Sequence, residues 1–152
     1  MTIGIDFQNT SVAADLPGET EFRHWAETVL QGRRQQAELT IRLVDEAESR
    51  RLNREFRGQD HPTNVLSFPV EVPAFVGSEL LGDIVICAPV VQREAELQGK
   101  PLPAHWAHMV VHGVLHLLGL DHQSDKEASA MERIEVKILQ KLGFSDPYLD
   151  DR

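Results

Sequence analysis

The run Ala104-His105-Trp106-Ala107-His108-Met109-Val110-Val111-His112-Gly113-Val114-Leu115-His116-Leu117-Leu118 decides how the rest of the chain is read. It is apolar on most faces, and Gly119 behind it can adopt the left-handed conformation that ends a helix, so the run predicts a central, buried helix over residues 104–118. Such a helix needs other elements packed around it. Downstream, Ser124 is a helix cap, and Ala128, Met131, Ile134, Ile138 and Leu142 make the inward face of an amphipathic helix. Upstream, residues 90–98 read as a short helix stopped by Gly99 and followed by Pro101 and Pro103.

The N-terminal half supplies strands. Ile3, Ile5 and Phe7 alternate, as do Leu39, Ile41 and Leu43, and residues 65–70 and 83–87 read as two further strands. Between the first two, residues 19–35 carry Phe22, Trp25, Val29 and Leu30 at helical spacing, giving a strand-helix-strand opening. Asp45 is placed to cap a helix over Glu46–Arg57, which Gly58 ends. Residues 73–82 (PAFVGSELLG) read as a mobile loop inside the domain. The expected fold is α+β: a small four-stranded mixed sheet packed with about five helices, the central buried helix carrying the candidate metal ligands.

Composition bounds the function. The 152 residues, 41% hydrophobic and 26% charged, suit one soluble domain spanning 1–152 and exclude disorder or a collagen-like repeat. Cys87, the single cysteine, lies in an apolar run and is expected to be a buried, inert thiol. The N-terminus has no basic and apolar leader pattern, and no stretch of about 18 apolar residues occurs, so a cytoplasmic protein without a membrane partner is expected. A net charge of -9 by itself disfavours a nucleic-acid partner. The average conceals a local reversal: residues 31–57 hold seven Arg against five acids, while residues 121–152 hold eight acids against five Lys or Arg.

Three of the seven histidines form the pattern H-x-x-x-H-x-x-G-x-x-H as His112, His116 and His122. Residues four apart on a helix stand on the same face, so His112 and His116 can direct two imidazoles at one point. Gly119 can turn the chain back so that His122 arrives as a third ligand. Three neutral imidazoles leave one tetrahedral position open, and this arrangement suits a catalytic zinc whose bound water has its pKa lowered to about 7. His105 and His108 lie earlier on the same stripe, displaced by the helical rise, and suit packing or support of the ligands, with His108 the weaker ligand candidate. Asp121 suits either orientation of a ligand imidazole or an ordinary place in a surface turn.

The same spacing occurs in zinc peptidases, where the residue after the first histidine is a glutamate acting as general base. Gly113 occupies that position here, which weakens a peptidase or amidase reading. A phosphodiester fits better, because a metal and a cation can share the negative charge of its transition state. The predicted helix Glu46–Arg57 supplies candidates in Arg50, Arg54 and Arg57 on one face; the alternative is a solvated face paired with Glu46, Glu48 and Glu55. A non-catalytic role, with zinc bracing the fold, is the remaining class.

Several separated stretches carry a resemblance. They are Leu52-Asn53-Arg54-Glu55-Phe56-Arg57, Pro62-Thr63-Asn64-Val65-Leu66-Ser67-Phe68-Pro69, Leu81-Gly82-Asp83-Ile84-Val85-Ile86, the histidine segment 112–122, and Leu142-Gly143-Phe144-Ser145-Asp146-Pro147-Tyr148. In this order they resemble the YbeY-type single-strand endoribonucleases, which act as rRNA maturation factors. The resemblance implies one zinc ion per chain held by His112, His116 and His122, with Arg57 and His116 as catalytic residues. It also implies trimming of ribosomal RNA toward the 3′ end of the 16S RNA and a part in ribosome quality control. The partners implied are single-stranded rRNA, the ribosome or its small subunit, an Era-type GTPase and a small-subunit ribosomal protein. Leu120 and Phe144 stand where the family frequently has tyrosine. The acidic balance then predicts a selective enzyme that leans on partners for its substrate.

Overall fold

A computed structural model describes residues 2–70, 79–121 and 123–149. Four strands, β1 (Thr2–Asn9), β2 (Gln36–Val44), β3 (Val65–Pro69) and β4 (Leu80–Cys87), form one sheet in the order β1-β2-β4-β3. β1, β2 and β4 run parallel, and β3 closes one edge antiparallel to β4. Five helices accompany them: α1 (Glu19–Leu30), α2 (Glu46–Arg57), α3 (Ala88–Gln98), α4 (Leu102–Leu117) and α5 (Asp125–Lys141). The α+β architecture with a mixed four-stranded sheet is therefore as the sequence predicts.

Strand alternation divides the apolar residues between two faces. Leu39, Ile41 and Leu43 of β2 and Ile84 and Ile86 of β4 enter the main core with residues of α1, α3, α4 and α5. Trp106 of α4 is fully buried there and meets Phe22 edge-on at 5.4 Å. Burying each large apolar side chain contributes about 1.5–3 kcal/mol, which is why the apolar run of α4 is held at the centre. Val85 and Cys87 face the other way and join Val44, Leu66 and Val90 in a smaller cluster, on which Leu52 of α2 and Phe68 of β3 rest. One face of the sheet is thus thickly covered and the other only partly.

Boundaries differ from the sequence reading in instructive places. α1 stops at Leu30 because Gln31 leaves helical geometry and Gly32 takes φ 75°. β4 begins at Leu80, since pairing with β2 extends the strand beyond its apolar run; residues 73–78 of the expected loop lie outside the described residues. Asp45 stands at the N-cap of α2 without capping it: its carboxylate instead accepts from Ser11 Oγ at 2.6 Å and Val12 N at 3.1 Å. Gly58 ends α2 at φ 70°, and Ser124 Oγ caps α5 by accepting from Glu127 N at 3.1 Å. Cys87 is a buried free thiol whose pKa is raised by burial. Among the described residues no helix is long and apolar enough to cross a membrane.

Candidate active site

α4 carries four histidines along one stripe, with ring centroids separated by 6.3 Å from His105 to His108, 6.4 Å from His108 to His112 and 4.6 Å from His112 to His116. The first two are buried, at 4% and 7% exposure, and the last two are half-buried. His112 and His116 open into a cleft of about 310 Å³ between α4 and the edge strand β3, which Arg57 and Asn64 also line. The fold therefore brings together Arg57, His112 and His116 of the predicted site residues. His122 lies outside the described residues. Asp121, its neighbour, is half-buried.

A buried carboxylate the sequence reading missed organises the stripe. Glu135 of α5, 1% exposed, faces His108 Nε2 at 2.5 Å through Oε2 and His112 Nδ1 at 3.3 Å through Oε1, and Oε2 also accepts from Tyr148 Oη at 2.9 Å. Burial pushes the Glu135 pKa up, but the hydrogen bonds and charges of His108 and His112 outweigh it and hold the carboxyl at about 2. Burial and the neighbouring carboxylate raise the Tyr148 hydroxyl's pKa, so it stays protonated and donates.

An ionised carboxylate only accepts, so each imidazole nitrogen facing Glu135 carries a hydrogen. His108 therefore spends Nε2 on Glu135 and is unsuited to be a ligand through that atom. His112 gives Nδ1 to Glu135, and its Nε2 is turned to the cleft. There, Nε2 of His112 and Nε2 of His116 stand 3.1 Å apart. Ligand bonds of 2.0–2.1 Å in a tetrahedral zinc site put two nitrogens roughly 3.3 Å apart, so this pair fits such an ion. Among the described residues no group of three His, Cys, Asp or Glu is arranged to hold a metal. Gly119, at φ 98°, turns the chain behind α4, and Leu120 N bonds back to Leu115 O at 3.1 Å, which starts residues 120–121 on a return path.

The arginines of α2 separate by partner. Arg50 is bidentate to Asp60, Arg54 lies 3.8 Å from the same carboxylate, and Arg51 lies 4.0 Å from Glu55. Glu48 and Glu46, the other expected partners, pair with Arg42 and Arg93. Arg57 has no carboxylate partner among the described residues. Its Nη2 donates to Ser67 O at 2.8 Å and Nη1 to Phe56 O at 3.2 Å, and its guanidinium lies 5.2 Å from the Phe68 ring centroid. Those two bonds leave three of its five N–H groups for a ligand.

Gly113 faces the sheet. A Cβ at this position would lie 2.9 Å from Ile84 Cγ2 and 3.1 Å from Cδ1, with Ile84 itself fully buried. The glutamate of the peptidase pattern has no room here. His105, farther along α4, bonds through Nε2 to Glu94 at 2.9 Å, and Glu94 accepts from Asn64 Nδ2 at 3.1 Å, tying the cleft's asparagine to α3 and α4. The stripe of Met131, Ile138 and Leu142 contained the signal for Glu135: an acid four residues after one apolar position and three before another. Of Leu120 and Phe144, which replace tyrosines frequent in the resembling family, Phe144 packs edge-on to Trp25 at 6.5 Å and both rest against the main core.

Comparison with known proteins gives two findings. A family model described as Endoribonuclease YbeY matches residues 6–143. The solution structure of TM1509 from Thermotoga maritima is similar at 24% sequence identity and a TM-score of 0.60, covering 96% of this chain and 98% of that one, and at this identity the likeness bears on the fold.

Proposed function

The chain belongs to the YbeY endoribonuclease family, and from that premise we propose that it cuts single-stranded RNA in the cleft between α4 and β3. The observation that carries the reading is that Arg57 lines the same cleft as His112 and His116. His112, His116 and His122 are the residues that would hold one zinc ion, the first oriented by Glu135. When bound, the ion supplies Lewis acidity toward a phosphate oxygen or a water. Arg57 presents its remaining N–H groups to the phosphoryl oxygens and stabilises the charge that grows on them. Ser67 O and Phe56 O hold the guanidinium in place, so little reorganisation is needed as that charge develops.

The finer reading we propose is one domain over residues 1–152 that acts in the cytoplasm on ribosomal RNA, in maturation of the 16S 3′ end and in ribosome quality control. Its partners there are the small subunit, a small-subunit ribosomal protein and an Era-type GTPase. The -9 net charge supports dependence on such partners, because an acidic surface weakens non-specific RNA binding.

The test pairs wild type with Arg57→Ala on single-stranded and duplex oligoribonucleotides, with metal content measured in both. Wild type is expected to cut the single strand preferentially, and Arg57→Ala to keep its metal while cleavage falls roughly 10²- to 10³-fold. Undiminished turnover in Arg57→Ala would remove that residue from the reaction. Cleavage that survives complete metal removal would remove the ion.

A further inference from the structure

On the far side of the edge strand β3 from the histidines, the partly covered face of the sheet holds a groove of about 450 Å³. Phe56 and Phe68 form its wall, meeting edge-on with ring centroids 5.2 Å apart. Phe68 is half-buried against the smaller core cluster, whereas Phe56 is 57% exposed. A lone exposed phenylalanine is ordinary. This one differs in its support and its position: Phe68 braces it from the side, and the Arg57 guanidinium lies against Phe68 while also lining the histidine cleft. The aromatic wall and the candidate cleavage site are joined through one residue.

We propose that Phe56, braced by Phe68, is a stacking platform for a nucleobase of the RNA strand whose phosphate sits at Arg57. This rests on the endoribonuclease reading and deepens it by naming a residue that selects single strands. A stacked base must be free of its helix, and aromatic platforms hold any unpaired base by its π-face. Charge favours a base over a phosphate in this groove. Arg42 on its floor is bound twice by Glu48, at 2.6 and 2.9 Å, and once by Gln8 Oε1 at 2.9 Å, and Asp83 adds a further acid. Thr40 and Asp83 offer hydrogen-bonding groups suited to a base edge. The strand would pass over β3, its base on one face of the sheet and its phosphate on the other.

The experiment uses a single-stranded oligoribonucleotide carrying 2-aminopurine at successive positions, whose fluorescence is quenched when the base stacks on a ring. Wild type is expected to quench one position next to the cut site. Phe56→Ala should lose that quenching and weaken RNA affinity roughly 5- to 150-fold, with the loss in KM rather than kcat and with metal content unchanged. Phe56→Trp should restore both, and Phe56→Leu, apolar but without a ring, should not. Equal quenching and equal KM in Phe56→Ala would overturn the platform, leave the endoribonuclease reading standing, and give the exposed ring to a protein partner. Quenching at Phe56 without any cleavage by wild type would do the reverse. Absence of RNA binding by wild type would overturn both.

Discussion

The two ends of α4 carry the same residue at the same stripe and use it differently. His105 and His108 are buried, and each gives Nε2 to a carboxylate, Glu94 or Glu135. His112 and His116 are half-buried at a cleft, and their Nε2 atoms face one another at 3.1 Å. The contrast teaches that spacing on a helix does not by itself decide which imidazoles reach the cleft. Glu135 decides by receiving hydrogens from opposite ring atoms of two consecutive histidines on the stripe, Nε2 of His108 and Nδ1 of His112. One imidazole is thereby committed to the interior and the next is offered to the cleft.

The sharpest way to break this contrast is to remove the carboxylate. Glu135→Ala leaves two imidazoles and the Tyr148 hydroxyl without their shared acceptor, and it is expected to cost about 3–5 kcal/mol in denaturant unfolding. Metal affinity, read by competition with a chelator, should fall about 10- to 100-fold as His112 loses its orientation. Unchanged affinity would make Glu135 a packing residue only. Gly113→Ala should cost less, about 1–3 kcal/mol, because the added methyl meets the buried Ile84 side chain. A Gly113→Ala chain as stable as wild type would show that the missing glutamate is not dictated by the sheet beneath it. Smallest is Tyr148→Phe, expected to lower stability by about 1 kcal/mol while leaving metal content alone. Loss of metal in Tyr148→Phe would extend the ligand-supporting network to the C-terminal segment.

Most elements were legible because their signals are local. Gly58 ends α2 and Gly99 follows α3 in the left-handed region, and α4 announces itself by an apolar run too long and too even for a strand. The N-terminal end of β4 was not, since Leu80 to Gly82 are held by pairing with β2 and β3, which no local pattern records. The site divides in the same manner. His112 and His116 come from one helix and are visible in their spacing, whereas Glu135 reaches His112 across 23 positions and Tyr148 reaches His108 across 40. The arginine face of α2 was visible as a group, and the choice of Arg57 from composition alone was open. In the fold Asp60 pairs with Arg50 and Arg54, and Arg57 lines the cleft. Net charge was the poorest guide, because it averages over surfaces that serve different purposes.

The division of α4 is tested most directly by the metal content of two variants purified side by side after zinc loading. His116→Ala removes a cleft imidazole; His108→Gln removes a buried one while keeping an N–H donor for Glu135. If the division holds, His116→Ala binds no stoichiometric zinc, whereas His108→Gln is expected, like wild type, to bind one ion per chain. Zinc retained by His116→Ala, or lost from His108→Gln with its fold intact, would contradict it.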